Sequence, residues 1–208
     1  MNIDKYISKH LSAPKGIGGN VVSFFMNRQN RPMYNETIRL LLLSNEERIL
    51  DIGCGNGYVL NMIAKKYNGT FTGIDLSKSI IESAMKRNRS FVKAGKMAFF
   101  AQDLSAMSFA DESFSRVYAI NTVYFWDNLG AVMKEVSRIL KPGGILVNSL
   151  YSNDTLEQFT HTRIGYKRFS KQKLVEAGVK AGFSVQTVPI LSGAAFSYIY
   201  KKPPNKEA

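Results

Sequence analysis

Three aspartates each close an apolar run: Asp51 in RILDIGCGNG, Asp75 in TFTGIDLS and Asp103 in FFAQDLS. The chain carries a formal net charge of +12, so acids gathered at three such ends suggest a pocket for a cation that also bears hydroxyls. A phosphate-bearing cofactor would be repelled there. At the end of a second strand a carboxylate faces the ribose hydroxyls of a nucleoside, in charge-assisted hydrogen bonds of roughly 1.5–3 kcal/mol. This assigns Asp75 to a ribose. Asp103 is then placed to meet an adenine amino group, and Asp51 to lie near a cationic ligand group. Each also has a plainer use: Asp51 as a cap of the following helix, Asp103 as the N-cap of a turn at Leu104-Ser105-Ala106. Set together at strand ends, the three favour a ligand.

Directly after Asp51 come Gly53, Gly55 and Gly57, at alternate positions. Glycine costs folding entropy, so a cluster implies a backbone that turns sharply or admits a close neighbour. A glycine loop between a strand and a helix can press its backbone on a ligand and aim helix N–H groups at it. The spacing is G-x-G-x-G. A dinucleotide fingerprint needs a sixth-position glycine or alanine, where Tyr58 and Leu60 stand, and the P-loop pattern is absent.

The elements that must position these residues alternate. The expected order is a helix over Asn35–Leu43, strand Arg48–Ile52, helix Gly57–Lys66, strand Thr70–Asp75 and a helix near Lys78–Phe91. Strands Lys96–Gln102 and Phe114–Asn121 follow, then helix Leu129–Leu140, stopped by Lys141-Pro142-Gly143-Gly144. Strand Ile145–Leu150, helix Ser170–Ala181 and strands Phe183–Ile190 and Ala194–Lys201 complete the chain. Residues 1–20, with Pro14 and GIGG, read as irregular. This rhythm predicts an α/β fold: a Rossmann-like, doubly wound, seven-stranded, mostly parallel sheet with an antiparallel last strand and helices on both faces. Residues 1–47 form an N-terminal helical cap, 48–202 the main domain and 203–208 a polar tail.

Composition narrows the class. With 208 residues and 45% hydrophobic residues the chain can bury one sizeable core. Its longest aliphatic run, Leu40–Leu43, is too short to span a bilayer, and MNIDKYISKHL has no apolar signal core, so the expected location is cytoplasmic. The single cysteine, Cys54, excludes an internal disulfide and argues against zinc; no metal is expected. The charge of +12 leaves nucleic acid or an anionic substrate open. The densest basic sets are Lys86, Arg87, Arg89, Lys93 and Lys96, read as a solvated face, and Arg163, Lys167, Arg168, Lys171 and Lys173, interleaved with aromatics.

Five stretches in order, LDIGCGNG, GIDLS, FAQDLSAMSF, FSRVYAINTVYFW and ILKPGGILV, resemble the successive motifs of class I S-adenosylmethionine-dependent methyltransferases, of the small bacterial, methyltransferase-11-like type. The resemblance covers about half the chain. It implies S-adenosylmethionine as cofactor and S-adenosylhomocysteine as product. Asp51, Gly53, Cys54, Gly55 and Gly57 would wrap the amino-acid end of the cofactor. Asp75 would take the ribose, with Leu76 beside adenine; Gln102, Asp103 and Leu104 would hold adenine, and Asn121 and Thr122 would floor the methyl group. The fourth motif opens with Phe114-Ser115 where the family usually has Phe-Asp.

Methyl transfer from a sulfonium is an in-line displacement in which the protein mainly positions the acceptor, so no catalytic pair need stand out. NTVYFW lacks the [D/N]-P-P-[Y/F] pattern of amino methylation on adenine or glutamine. A small-molecule acceptor is expected, apolar, aromatic or anionic, with Tyr34, Tyr124, Trp126 and His161 as candidate contacts. Phe125 is a further candidate wall. Two other readings stand beside it: an RNA methyltransferase, on the charge, and a non-catalytic protein that binds S-adenosylmethionine. Monomer and homodimer are both compatible with the sequence.

Overall fold

The computed structural model describes residues 16–163 and 165–205. Helix α1 (Gly16–Leu40) precedes β1 (Glu47–Ile52), α2 (Tyr58–Ala64), β2 (Gly69–Asp75), α3 (Lys78–Arg87), α4 (Arg89–Lys93) and β3 (Met97–Ala101). Then come β4 (Phe114–Ile120), α5 (Leu129–Ile139), β5 (Leu140–Tyr151), α6 (Asn153–Glu157), α7 (Lys171–Lys180), β6 (Ser184–Ile190) and β7 (Ala195–Lys201). The seven strands form one sheet in the order β3-β2-β1-β4-β5-β7-β6. β1 to β5 are parallel, and β7 runs antiparallel to both β5 and β6. The expected doubly wound sheet is what forms.

Alternation along the strands divides the core into two layers. Leu50 and Ile52 of β1, Val117 and Ala119 of β4, and Leu146 and Leu150 of β5 pack with Val132, Met133 and Val136 of α5 and Leu174 of α7. Ile49, Tyr118 and Val147 face the other way, onto Leu60 and Ile63 of α2, Ile81 of α3 and Tyr34 of α1. Asp51 and Tyr118 therefore project toward the α1–α3 layer.

The irregular segment expected over residues 1–20 is corrected where it is described: Gly16–Asn20 is helical, and α1 runs 25 residues with Pro32 inside. Residues 1–15 lie outside the described residues. Glycine and proline disfavour a helix, but Met33, Thr37 and Leu41, fully buried at four-residue spacing, anchor it to the sheet. Thr37, Ser149 and Ser197 extend this anchor as a buried hydroxyl chain with 2.7 Å steps.

Two other boundaries move. The helix expected to Phe91 breaks at Asn88, whose amide nitrogen is spent on the carbonyls of Gly57 (3.1 Å) and Ala84 (3.0 Å). Lys141-Pro142-Gly143-Gly144 lies inside β5 instead of in a turn before it. The β4–β5 register jumps there, from Phe114↔Leu140 to Arg116↔Ile145, and Gly143 and Gly144 exchange backbone hydrogen bonds with Lys202.

The connection from β3 to β4 is held by Arg138 of α5. Its guanidinium donates to the carbonyls of Met107 (3.0 Å) and Phe109 (2.7 Å), to Asp111 (2.7 Å) and to both Glu135 oxygens (3.0 and 2.8 Å). These partners hold its pKa above the ordinary arginine value. Arg138→Ala strips the donor from two carbonyls and leaves Glu135 without its cation. The expected loss is about 2 kcal/mol of stability, read as a lower urea midpoint at unchanged slope.

Candidate functional site

The sheet order reverses between β1 and β4, so their carboxyl ends open a crevice where ligands bind in open α/β sheets. β1 delivers Asp51 into it. The N–H groups of Gly53 and Cys54 both donate to the Ile74 carbonyl, at 2.8 and 2.9 Å, which ties the loop to the end of β2. Gly53 and Gly55 sit in the left-handed region, at φ 72° and 52°. A Cβ on Gly53 would strike Thr122, whereas one on Gly55 would meet nothing within 4 Å. The loop is thus pressed against β4 on one side and open on the other. That opening leaves room for a ligand against the loop backbone.

Asp75 ends β2 beside this opening. Its carboxylate accepts from the N–H of Gly55 (3.3 Å) and of Ser77 (3.1 Å). Burial raises its pKa, and these backbone donors oppose the rise. Leu76 next to it is 67% exposed, an apolar side chain free to lie against a flat ring. Gln102 accepts from the Ser108 N–H and hydroxyl through Oε1, while its Nε2 is buried with no partner among the described residues. An unpartnered buried donor beside the expected adenine position is the group a nucleobase acceptor would satisfy. Asp103 is exposed, and its Oδ1 takes the N–H and hydroxyl of Ser105, each at 2.8 Å. The local turn is therefore realised, with Oδ2 left over, and Leu104 packs half-buried against the core.

Asp51 has a different environment. It is 4% exposed, and among the described residues its one hydrogen-bond donor is the Tyr118 hydroxyl, 2.8 Å from Oδ2. Desolvation is the largest influence; the Tyr118 hydrogen bond opposes it and the Asp75 charge adds to it, leaving the pKa at about 8. The carboxyl accordingly holds its proton to far higher pH than an ordinary aspartate. Burial also pushes the Cys54 thiol up, so that cysteine is a protonated filler and not a nucleophile.

Asn121 follows β4 in a left-handed conformation, φ 56°, rare for a non-glycine residue and a mark of local strain. Thr122 beside it donates to the Ile52 carbonyl at 3.3 Å. Tyr34 and Tyr124 are buried next to this floor. Trp126, a candidate substrate contact on sequence, is 2% exposed within the α5–α7 layer and belongs to the core. It is large and apolar, and the helical turn at Val123–Phe125 swings it inward. Phe125 instead stays 41% exposed and stacks edge-on with Tyr166 at 4.8 Å. The His161 side chain lies outside the described residues.

Two residues at the crevice were not singled out from sequence, Asn30 and Tyr151. The Tyr151 hydroxyl donates to Asn30 Oδ1 at 2.9 Å. They are 121 positions apart, and only the packing of α1 against β5 brings them together. Much of the second basic set is spent locally. Lys167 pairs with Asp127 at 2.6 Å, Arg168 donates to Thr162, and Lys171 and Lys173 lie over the rings of Phe196 and Phe169.

Residues 49–144 match the methyltransferase domain family. The O-methyltransferase resE of Aspergillus sclerotiorum is 35% identical over 114 residues, 55% of this chain and 43% of that protein. Sterol 24-C-methyltransferase ERG6B of Gibberella zeae is 34% identical over 117 residues, 53% of this chain and 31% of that protein. The chain thus spans less than half the length of either relative. Among solved structures, a chain in the complex between the Haloferax volcanii Trm112 methyltransferase activator and a methyltransferase superposes with a TM-score of 0.78. Its identity is 16%, and the match covers 97% of this chain and 98% of that one, a likeness of fold. With five motifs in order, this sheet and these matches, residues 49–144, just under half of the chain, are similar to the methyltransferase domain family, on a Rossmann-like fold.

Proposed function

We propose that this protein transfers a methyl group from S-adenosylmethionine to a small-molecule acceptor. The observation that carries it is the cradle itself: an open Gly55 face bounded by a buried Asp51 with no cation, by Asp75, and by the unpartnered Gln102 Nε2. A cationic nucleoside suits that set, since its ammonium group would ionise Asp51, its ribose hydroxyls would donate to Asp75, and its adenine would accept from Gln102. Leu76 would cover the ring. Bound there, the cofactor would supply a methyl on a sulfonium for in-line displacement by the acceptor's lone pair, with the thioether as leaving group.

The residues of the chain do the positioning. Asn121 and Thr122 line the floor where β4 ends, and α1 supplies Tyr34, so the described part of the N-terminal segment, residues 16–47, acts as a cap over the crevice. The relatives' names support a small acceptor: one is an O-methyltransferase and the other acts on a sterol. Among the described residues no helix is long and apolar enough to cross a membrane; a cytoplasmic location is part of the proposal.

Calorimetric titration with S-adenosylhomocysteine tests the cradle, with NADH and ATP as controls. Micromolar or tighter binding of the thioether alone is expected, and Asp75→Ala should weaken it about a hundredfold or more through loss of two charge-assisted hydrogen bonds. Wild-type affinity in that variant overturns the assignment.

Asp51 adds a pH test. The unfolded chain releases this proton near 3.8 and the folded chain near 8, so the folded state holds the extra proton in between. Apoprotein stability from this group therefore falls as pH rises across that window and levels off above it. Asp51→Asn removes the slope: the variant should match wild type near pH 4 and exceed it in urea denaturation at pH 8. Wild-type affinity for S-adenosylhomocysteine should rise toward pH 8 with proton release at pH 7, and the variant should bind weakly and without that pH dependence.

A further inference from the structure

Four neutral side chains from three parts of the chain meet at the methyl end of the crevice. The Tyr124 hydroxyl donates to Asn121 Oδ1 (3.2 Å) and reaches the Tyr151 carbonyl (3.3 Å). Asn121 Nδ2 in turn donates to Asn30 Oδ1 at 3.5 Å, the same oxygen that receives the Tyr151 hydroxyl at 2.9 Å. The Asn30 amide also opposes the burial-driven rise of the Tyr34 pKa, while the Tyr34 hydroxyl itself donates to Asn27 Oδ1 at 3.2 Å. Asn30 is therefore the hub, and its carbonyl oxygen has both lone pairs taken.

This arrangement fixes what Tyr151 can offer. A phenol has one proton and two lone pairs, and here the proton is committed to Asn30. Among the described residues no donor faces the Tyr151 oxygen, so toward a ligand it presents lone pairs only. Burial raises its pKa, which keeps the phenol un-ionised. Its ring is half-buried and braced edge-on by Phe159, with centroids 5.7 Å apart, so the oxygen has little freedom to turn away. A lone pair in a fixed position aligns an O–H or N–H group. It repels a carboxylate or phenolate oxygen and gives nothing to a carbon nucleophile.

We infer that Tyr151, with its proton held by Asn30, orients the acceptor and selects a hydroxyl or amine that still carries its hydrogen. The inference rests on the methyl-transfer reading above. The acceptor atom hydrogen-bonds through its own hydrogen to the Tyr151 oxygen, which turns its lone pair toward the methyl. It forms the new carbon bond as sulfur takes back the old pair, and the acceptor's proton passes to water. Asn30 is a positioning residue that acts through Tyr151.

The test incubates wild type, Tyr151→Phe, Asn30→Ala and Asn30→Asp with methyl-13C S-adenosylmethionine and a deproteinised cell extract. Carbon NMR reads which element the methyl has joined, and each variant is titrated with S-adenosylhomocysteine. Wild type should yield methyl on oxygen or nitrogen. Tyr151→Phe and Asn30→Ala should lower product formation about tenfold with unchanged thioether affinity, the loss expected of one orienting hydrogen bond. Asn30→Asp keeps an oxygen for both donors and should recover most of the rate, which a merely structural role for Asn30 would not give. Methyl on carbon, full activity in Tyr151→Phe, or no transfer by a protein that binds the thioether each overturn the inference. A wild type that fails to bind the thioether overturns the methyl-transfer reading instead.

Discussion

A single backbone oxygen, the carbonyl of Ile74, sets the geometry on which the crevice depends. It accepts from Gly53 and Cys54 together, just where β1 has run out of strand partners. The bifurcated bond turns the chain away from the sheet and fixes the direction from which α2 departs. It also brings Gly55 within reach of the Asp75 carboxylate, one residue beyond Ile74. The loop and the acid are thus one rigid piece, since both are referenced to the end of β2. Packing behind the loop reinforces this, because Thr122 leaves no room for a side chain at Gly53.

Charge is distributed in a way the bulk number conceals. The chain is +12 overall, yet the crevice is lined by carboxyl groups and neutral amides and phenols. Burial, not pairing, controls Asp51: a carboxyl taken out of water with one phenol for company holds its proton. The surface cations are partly occupied by carbonyls, rings and carboxylates of their own neighbourhood. The positive balance therefore says more about the exterior than about what the crevice holds.

Much of the sheet was legible because strand–helix alternation and the glycine loop are short-range signals. Asp51, Asp75 and the three glycines could be placed from one dozen-residue stretch and one pentapeptide. What failed were positions decided by distant partners. The GIGG of α1 reads as irregular until Met33, Thr37 and Leu41 are seen to bury against the sheet. Lys141–Gly144 reads as a turn until Lys202 comes back to pair with it. Trp126 follows a substrate-like run but is turned into the core, while Tyr151, just past the expected strand, is tied to Asn30 only through the packing of α1. Asp103 was readable both ways, and its Ser105 contacts realise the local one.

The anchoring of α1 has a consequence for how the chain reaches this state. α1 is the first described element to be synthesised, but Thr37 finds Ser149 112 positions later, and Asn30 finds Asn121 and Tyr151 at separations of 91 and 121. Contacts of that span must wait for the loop entropy of everything between them to be overcome. The glycine loop and β2, in contrast, meet within some twenty residues and can form while the C-terminal half is still on the ribosome. The Asp75 side of the crevice can therefore mature early and the Asn30–Tyr151 side late, so an incompletely made chain acquires the glycine loop before it acquires the side chains that close the opposite end.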